Sequence, residues 1–425
     1  MPRAGRKTLL PTAIAAALAL VPGIGRAQPS AFPPPTAEER RCTGQLSASP
    51  ETQAAACTSL IGSGRYIAQN LAILHSNRGI AYAKAGDFDR AIADFDAAIR
   101  INPAHVRAHI NRGNAQFAKR EFDRAIADYD QALRLEPRSV AGFMSRASAY
   151  DAKGDVDRAI ADYDQALKLD PNLVNAHFNR GLALRRRGEI DRAIADYDQA
   201  IRLDPKNVAA YNNRGIALAD KGEHDRAVSD YDQALKLDPQ FTLAYVNRGL
   251  VRQAKRDYDR AIADFDKAIG LAPDNAAAFN NRASAQDAKG EFDRAMADFD
   301  KAIALEPKNA SFYDNRGNVW RNKGRFARAI EDYDKAIALA PNYALAYYNR
   351  SQAHYLAGRF KEALADADKA AKLGPQSASA LSLRGLVQEK LGAREAAIAD
   401  LRRASMLDPT FQQPADALRR LGVAR

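Results

Sequence analysis

The chain is poor in the residues that build reactive centres. It has only two cysteines among 425 residues, Cys42 and Cys57, and six histidines. Two thiols with no histidine near them supply half a zinc site, so no metal is expected. No glycine-rich phosphate loop, nucleophile elbow or HExxH stretch occurs. With no catalytic constellation and no cofactor motif, the sequence points away from an enzyme. Long apolar runs are absent too. The longest, Leu9 to Val21, falls short of the ~20 residues a spanning helix needs. Concentrated charge is also missing. The formal net charge is +11, but Arg3, Arg6, Lys7 and Arg26 near the N-terminus carry four of that surplus, and the rest is spread thinly. Nucleic-acid binding needs basic residues gathered on one face, so no nucleic-acid partner is expected. Arg185-Arg186-Arg187 is the one local run. It reads either as positive charge favoured at a helix C-terminus or as an anion-binding patch.

What the chain has is a period. Stepping by 34 residues from Arg214 meets Arg180, Arg146, Arg112 and Arg78 in one direction. In the other it meets Arg248, Arg282, Arg316, Arg350 and Arg384, with no insertion between them. Such a period is the mark of a solenoid. Within Val208 to Phe241, Tyr211, Gly215 and Leu218 form one helical stripe. Lys221-Gly222 ends that helix, since glycine takes the left-handed conformation freely. Asp225 reads as the N-cap of a second helix, whose stripe is Ala227, Tyr231, Ala234 and Leu237. Pro239 closes the unit. Two such helices cannot bury their apolar faces alone and must stack on their neighbours. The Ala227 and Ala234 positions are alanine in all ten copies, from Ala91 to Ala397 and from Ala98 to Ala404, and the closing proline recurs from Pro103 to Pro409. The Tyr231 position is aromatic in eight copies and becomes Ala367 and Leu401 in the last two.

An aromatic, Gly, Tyr, Ala, Phe, Pro series over 34 residues resembles the tetratricopeptide repeat. The resemblance covers Ala72 to Phe411 and implies an all-α, right-handed superhelical solenoid of antiparallel helix pairs. One departure is uniform: where that family carries leucine before the glycine, this chain carries arginine. Arg214 and its equivalents could pair with aspartates such as Asp230 or Asp232, or hold an anionic ligand, and the joint recurrence of base and acid favours internal pairing. The asparagine before the arginine recurs as Asn77, Asn111, Asn179, Asn213, Asn247, Asn281, Asn315 and Asn349. In proteins this chain resembles, that position faces the concave groove. An amide there can bond a peptide backbone with both donor and acceptor. The neighbouring groove position, two before the arginine, varies (Ile110, Met144, Phe178, Asn212, Val246, Asn280), as peptide recognition would require. Relatives that clamp a C-terminal carboxylate use lysine at the varying positions, and none stands there. His75, His109 and His177 share a repeat position with Phe143, Tyr211, Tyr245 and Tyr347 and read as substitutes for a packing aromatic.

The flanks complete the organisation. Residues 1–27 read as a secretory signal peptide, with a basic start, a short apolar stretch and small residues at Gly25-Arg26-Ala27; an uncleaved anchor is the alternative. Residues 28–37 form a proline-rich tether. Residues 38–71 read as a degenerate helical cap in which Cys57 takes the aromatic position and points at a helix holding Cys42. In an oxidising compartment such a pair forms a disulfide, with free core thiols as the alternative. Residues 72–411 hold the ten repeats, and residues 412–425 a final capping helix. The expected protein is therefore a periplasmic or secreted bacterial scaffold that binds protein or peptide segments in its concave groove for assembly in the cell envelope. The alternative is a polysaccharide- or peptidoglycan-associated binding protein. Stable membrane insertion is not expected, and self-association is left open.

Overall fold

The computed structural model describes residues 35–423. The expected signal peptide and all but the end of the tether lie outside the described residues. Every regular element described is an α-helix, and the chain divides into two compact units, with the boundary after Glu223.

The N-terminal unit begins with α1 (Ala37–Cys42) and α2 (Pro50–Gly62). Helix pairs follow: α3 (Ala68–Lys84) with α4 (Phe88–Ile101), α5 (Val106–Ala118) with α6 (Phe122–Leu135), α7 (Val140–Lys153) with α8 (Val156–Leu169), and α9 (Val174–Arg187) with α10 (Ile190–Leu203). The unit ends with α11 (Val208–Lys221). The C-terminal unit opens with α12 (His224–Leu237), then pairs α13 (Thr242–Ala254) with α14 (Tyr258–Leu271), and α15 (Ala276–Lys289) with α16 (Phe292–Leu305). It continues with α17 (Ala310–Asn322) and α18 (Phe326–Leu339), α19 (Ala344–Leu356) and α20 (Phe360–Leu373), then α21 (Ala378–Lys390) and α22 (Arg394–Leu407). The last helix is α23 (Gln412–Arg420). The 34-residue phase thus sets the helix starts from α5 onward.

The second helices begin two residues earlier than the sequence suggests. Asp225 lies inside α12, in its first turn, and is not the N-cap. The equivalent caps are Asp87, Asp155 and Asp257, whose carboxylates accept the backbone N–H three residues on at 3.0, 3.2 and 3.4 Å. Four first helices end in glycine with left-handed φ near 90°: Gly154, Gly188, Gly222 and Gly290. Arg120 and Arg256 occupy the same kind of turn at φ 64° and 63°, a conformation that strains a residue with a Cβ.

Packing explains the constant residues. The recurring alanines on the second helix, such as Ala91 and Ala98, are wholly buried, so the neighbouring helix backbone leaves room for a methyl group only. The glycine after the arginine makes a flat seat for the aromatic. A Cβ on Gly113 would lie 2.6 Å from Cε1 of Tyr129. Phe95, Phe265 and their equivalents are fully buried there, each worth roughly 1.5–3 kcal/mol of apolar transfer. In the last two repeats the ring gives way to Ala367 and Leu401, also fully buried.

Candidate functional site

Within each unit, successive first helices touch. α3 meets α5, α5 meets α7 and α9 meets α11; α13, α15, α17, α19, α21 and α23 likewise meet in sequence. Successive second helices do not pack to that extent among the described residues. The first helices are therefore the inner layer of each unit, and their free faces form its inner surface.

The asparagine series lies along this layer but does not make a uniform row of free amides. Asn77, Asn111, Asn213 and Asn349 are buried, while Asn179, Asn247, Asn281 and Asn315 are half-buried. Asn111 is fully buried, and neither of its amide atoms has a partner among the described residues. Asn213 donates to the carbonyl of Ala209 on its own helix, at 2.9 Å. Asn179 neighbours the hydroxyl of Tyr163. Towards the C-terminus the amides reach the preceding first helix: Asn315 donates to Asn280 Oδ1 at 2.9 Å, and Asn349 donates to both oxygens of Asp314 at 2.9 and 3.1 Å. Asn280 in turn donates to Asn281 Oδ1 at 3.4 Å. Asp314 is 1% exposed. Burial raises its pKa to about 6, against the opposing pull of Asn349, Arg321 and Asn318.

The arginines are spoken for. Arg146 donates Nε and Nη2 to the two oxygens of Asp162 at 2.8 and 2.7 Å, and Nη1 to Asp130 at 2.6 Å. Asp162 belongs to the arginine's own repeat and Asp130 to the preceding one, so one guanidinium clamps two repeats. The same arrangement holds for Arg112, Arg180, Arg248, Arg282, Arg316, Arg350 and Arg384. Internal pairing is thus the structural role, with one correction. Asp232, eighteen residues after Arg214 and a candidate partner for it, is taken by Arg248 of the following repeat. At the N-terminal end, where no earlier repeat exists, Arg78 donates to the Thr58 hydroxyl at 3.0 Å. Burial alone would raise the Asp128 pKa, but hydrogen bonds from Arg112 and His109 outweigh it and hold the carboxyl below its ordinary value.

Where the residue beneath the arginine is a histidine or tyrosine, it can have a second task that the sequence did not reveal. His109 and His177 donate from Nε2 to the carbonyls of Pro103 and Pro171, at 3.1 and 2.9 Å. Tyr313 and Tyr347 donate their hydroxyls to Pro307 and Pro341 at 3.2 and 3.3 Å. Histidine and tyrosine therefore both reach back to the closing proline of the previous repeat. The histidines also face a clamp aspartate through Nδ1: Asp94 for His75 at 3.0 Å and Asp196 for His177 at 3.2 Å.

A second ladder was missed as well. The basic residue near the end of a first helix reaches an aspartate thirty residues earlier on the preceding second helix: Arg187 to Asp157 at 2.8 Å, Lys221 to Asp191 at 2.9 Å and Lys289 to Asp259 at 2.6 Å. Lys119, Lys153 and Lys255 make equivalent pairs. Its sequence signal was a base at this position recurring with an acid thirty residues before it. The triple-arginine run is consumed in this way: Arg185 pairs with Asp220, Arg186 with Asp151, and Arg187 with Asp157 and Glu189. An anion patch therefore has no free guanidinium there.

At the N-terminus, α1 packs on α2 with the Cα atoms of Cys42 and Cys57 at 4.8 Å, within disulfide range. Gln53 Nε2 donates to the carbonyl of Cys42 at 3.1 Å, and the Tyr66 hydroxyl donates to Glu39 at 2.7 Å. No group of three metal-ligating side chains lies together among the described residues. None of the described helices is long and apolar enough to cross a membrane.

Helix pairs closed by proline and bolted in series by arginine define a helical-repeat scaffold. A tetratricopeptide-repeat family model matches residues 76–139, 110–174, 144–205, 178–240 and 246–310, and related models of that family match 317–358, 344–377 and 378–411. The chain belongs to the tetratricopeptide-repeat family, whose members mediate protein interactions. Among solved structures it is similar to a tetratricopeptide-repeat protein from Parabacteroides merdae, at 24% identity and TM-score 0.52, over 59% of this chain and 98% of that one. Yeast Tom70 is similar at 18% identity and TM-score 0.53, over 88% and 91%. The APC/C hetero-tetramer Cut9-Hcn1 gives 14% identity and TM-score 0.50, over 91% and 96%. These likenesses are of fold. No curated protein matches the chain.

Proposed function

We propose that this chain is an exported, non-catalytic scaffold that holds an extended segment of another protein against the inner face of its first helices, in the periplasm or outside a bacterial cell. The observation that carries this reading is the contrast along the inner layer. Residues that pack the repeats are constant, while the position two before each arginine changes from Ile110 to Met144 to Phe178 in successive repeats. Constant packing with variable side chains is what recognition of one segment requires, because the backbone of the ligand can be held uniformly and its side chains read individually. Polar groups able to serve the ligand backbone stand beside these positions, Asn179 and Asn281 being half-buried. Export is supported by the basic, apolar and small-residue order of residues 1–27. The approach of Cys42 to Cys57 supports it too, since disulfides persist in oxidising compartments.

The test is a photo-crosslinking residue placed at Met144 on the inner layer, with a control at the exposed Ala161 of α8. Protease-sensitive adducts from cell-envelope extract should form from Met144 and not from Ala161. Adducts that resist protease and disappear with glycosidase would instead favour a sugar polymer. Equal labelling from both positions would remove the inner face as the site. N-terminal sequencing of the exported protein should give a start near Gln28.

A further inference from the structure

The outer face of the C-terminal unit carries a charge row that the inner-face reading does not use. Most of the recurring carboxylates there are already engaged. In α14, for example, Asp264 takes Arg248, Asp266 takes Arg282 of the next repeat, and Asp259 takes Lys289. Subtracting such pairs leaves one recurring base with no acid. Lys267, Lys301 and Lys335 stand at equivalent places on α14, α16 and α18, each exposed, and none forms an ion pair among the described residues. Lys369 and Arg403 continue the spacing on α20 and α22. Lys369 lies 5.9 Å from the centre of the Tyr347 ring, and Arg403 donates to the carbonyl of Pro375 at 3.1 Å. The same position holds Ala97, Gln131, Gln165 and Gln199 in the N-terminal unit and Gln233 on α12, so the row begins at α14. A leucine follows each of these bases by four residues, one helical turn. Leu271, Leu339 and Leu407 are 41%, 38% and 37% exposed.

We infer that this outer face is a second docking surface, whose partner is an acidic protein segment with apolar side chains between its carboxylates. Three features select that chemistry. Successive second helices do not pack on one another among the described residues, so they stand farther apart than the ~10 Å of helices in contact. An extended chain advances ~3.3 Å per residue and alternates faces, so a carboxylate at every fourth residue, on one face and ~13 Å from the next, meets successive lysines. Duplex DNA, with a charge every ~1.7 Å, is far too dense for such a row. No aromatic residue stands at the row's own helix positions or the neighbouring outward ones (Ala263, Gly270, Ala297, Ala304, Glu331, Ala338), so bases have no stacking platform; Glu331, one turn before Lys335, is the one acid among them. The partly exposed leucines lie beside the lysines and give an apolar side chain a place to go, which a sugar polymer would leave unused.

The test uses the full chain and a synthetic peptide of about 20 residues with glutamate at every fourth position and leucine beside it, the length of five rungs at ~4 residues each. Binding is followed by fluorescence anisotropy at low salt. The triple variant Lys267→Glu, Lys301→Glu, Lys335→Glu should bind at least tenfold more weakly, with helix content by circular dichroism unchanged, because the three side chains are exposed. Lys→Gln at the same sites should give an intermediate loss. A peptide with the same composition but its glutamates clustered should bind more weakly than the regular one. The inference is overturned if the regular peptide does not bind, if the Glu variant binds it at full strength, or if duplex DNA or a polyuronate competes as well as the peptide does.

Discussion

Removing one guanidinium clamp should uncouple two repeats, and Arg112 is the place to see it. Arg112 donates Nε to Asp128 Oδ2 at 2.8 Å and Nη2 to Oδ1 at 2.5 Å, while Nη1 binds Asp96 of the preceding repeat. Arg112→Met keeps the length and apolar stem of the side chain but leaves Asp128, whose side chain is only 7% exposed, with only the His109 ring at 3.5 Å beside it. Breaking a buried pair on one side costs ~3–5 kcal/mol. Arg112 is itself 22% exposed, so solvent screens part of the loss and the lower end applies. Asp96, at 39% exposure, regains water and adds only ~0.5 kcal/mol. A local loss near 3 kcal/mol corresponds to about a hundredfold. The readout is amide hydrogen exchange in α5 and α6, because a repeat array loses stability locally rather than all at once. Protection there should fall about a hundredfold, with little change in distant repeats. The double variant Arg112→Met, Asp128→Leu removes the stranded charge as well and should recover to within ~1 kcal/mol of the parent, since an apolar pair of similar volume replaces an ion pair at little cost. A single variant that loses less than ~1 kcal/mol would show the clamp to be an ordinary surface pair. A double variant no better than the single one would show that Asp128 was not the cause.

Arg120→Gly and Arg256→Gly should each stabilise their turns by ~0.5–1 kcal/mol, because eight other turns of the array hold glycine at the same place; chemical denaturation showing a loss would mean that these side chains make a compensating contact. The folded-state pKa of Asp314, about 6, lies above its ordinary 3.8, so its contribution is fully present below about pH 4 and is lost as pH rises through 6. Exchange protection across α17 and α19 should accordingly be higher at pH 4.5 than at pH 7, and Asp314→Asn should flatten that slope. Cys42→Ser should release α1 and lower the local stability of the cap by ~3 kcal/mol, the value for closing a loop of this length. Thiol labelling of the unfolded, non-reduced parent should find no free cysteine; two labelled thiols in material from its native compartment would overturn the disulfide.

The helix pairs were legible because the period repeats every constraint ten times, so a chance match in one copy cannot survive comparison with the others. The arginine–aspartate pairing sixteen residues apart was readable for the same reason. Its second partner was not. Whether a guanidinium turns to Asp232 or to the preceding repeat depends on which helix stacks beside it, and a period along the chain does not say which neighbour lies in reach. The N-cap was misplaced because Glu223 and Asp225 both precede the apolar stripe of α12, yet only the position directly before a helix faces the free N–H groups of its first turn. The asparagines show the limit most plainly. Their recurrence placed them on one layer, but the partner of each amide is set by the residue beside it on the preceding helix, Asp314 for Asn349 and Asn280 for Asn315. That residue is the one the repeat leaves free to vary.

The clamp makes every joint in the array nearly interchangeable, and this bears on how such a chain changes length. If residues 106–139 were excised, Val140 would follow His105 in phase and α7 would stack where α5 stood. Arg146 would then meet Asp96 in place of Asp130, an identical acid at an identical step. The ring there would be Phe143, which has no atom to donate to the carbonyl of Pro103 as His109 does, so the new joint would lose that one bond and keep the clamp. Recombination between copies can therefore lengthen or shorten the array without inventing an interface. The ends, held by α1 with α2 and by α23, are the parts that cannot be copied from elsewhere in the chain.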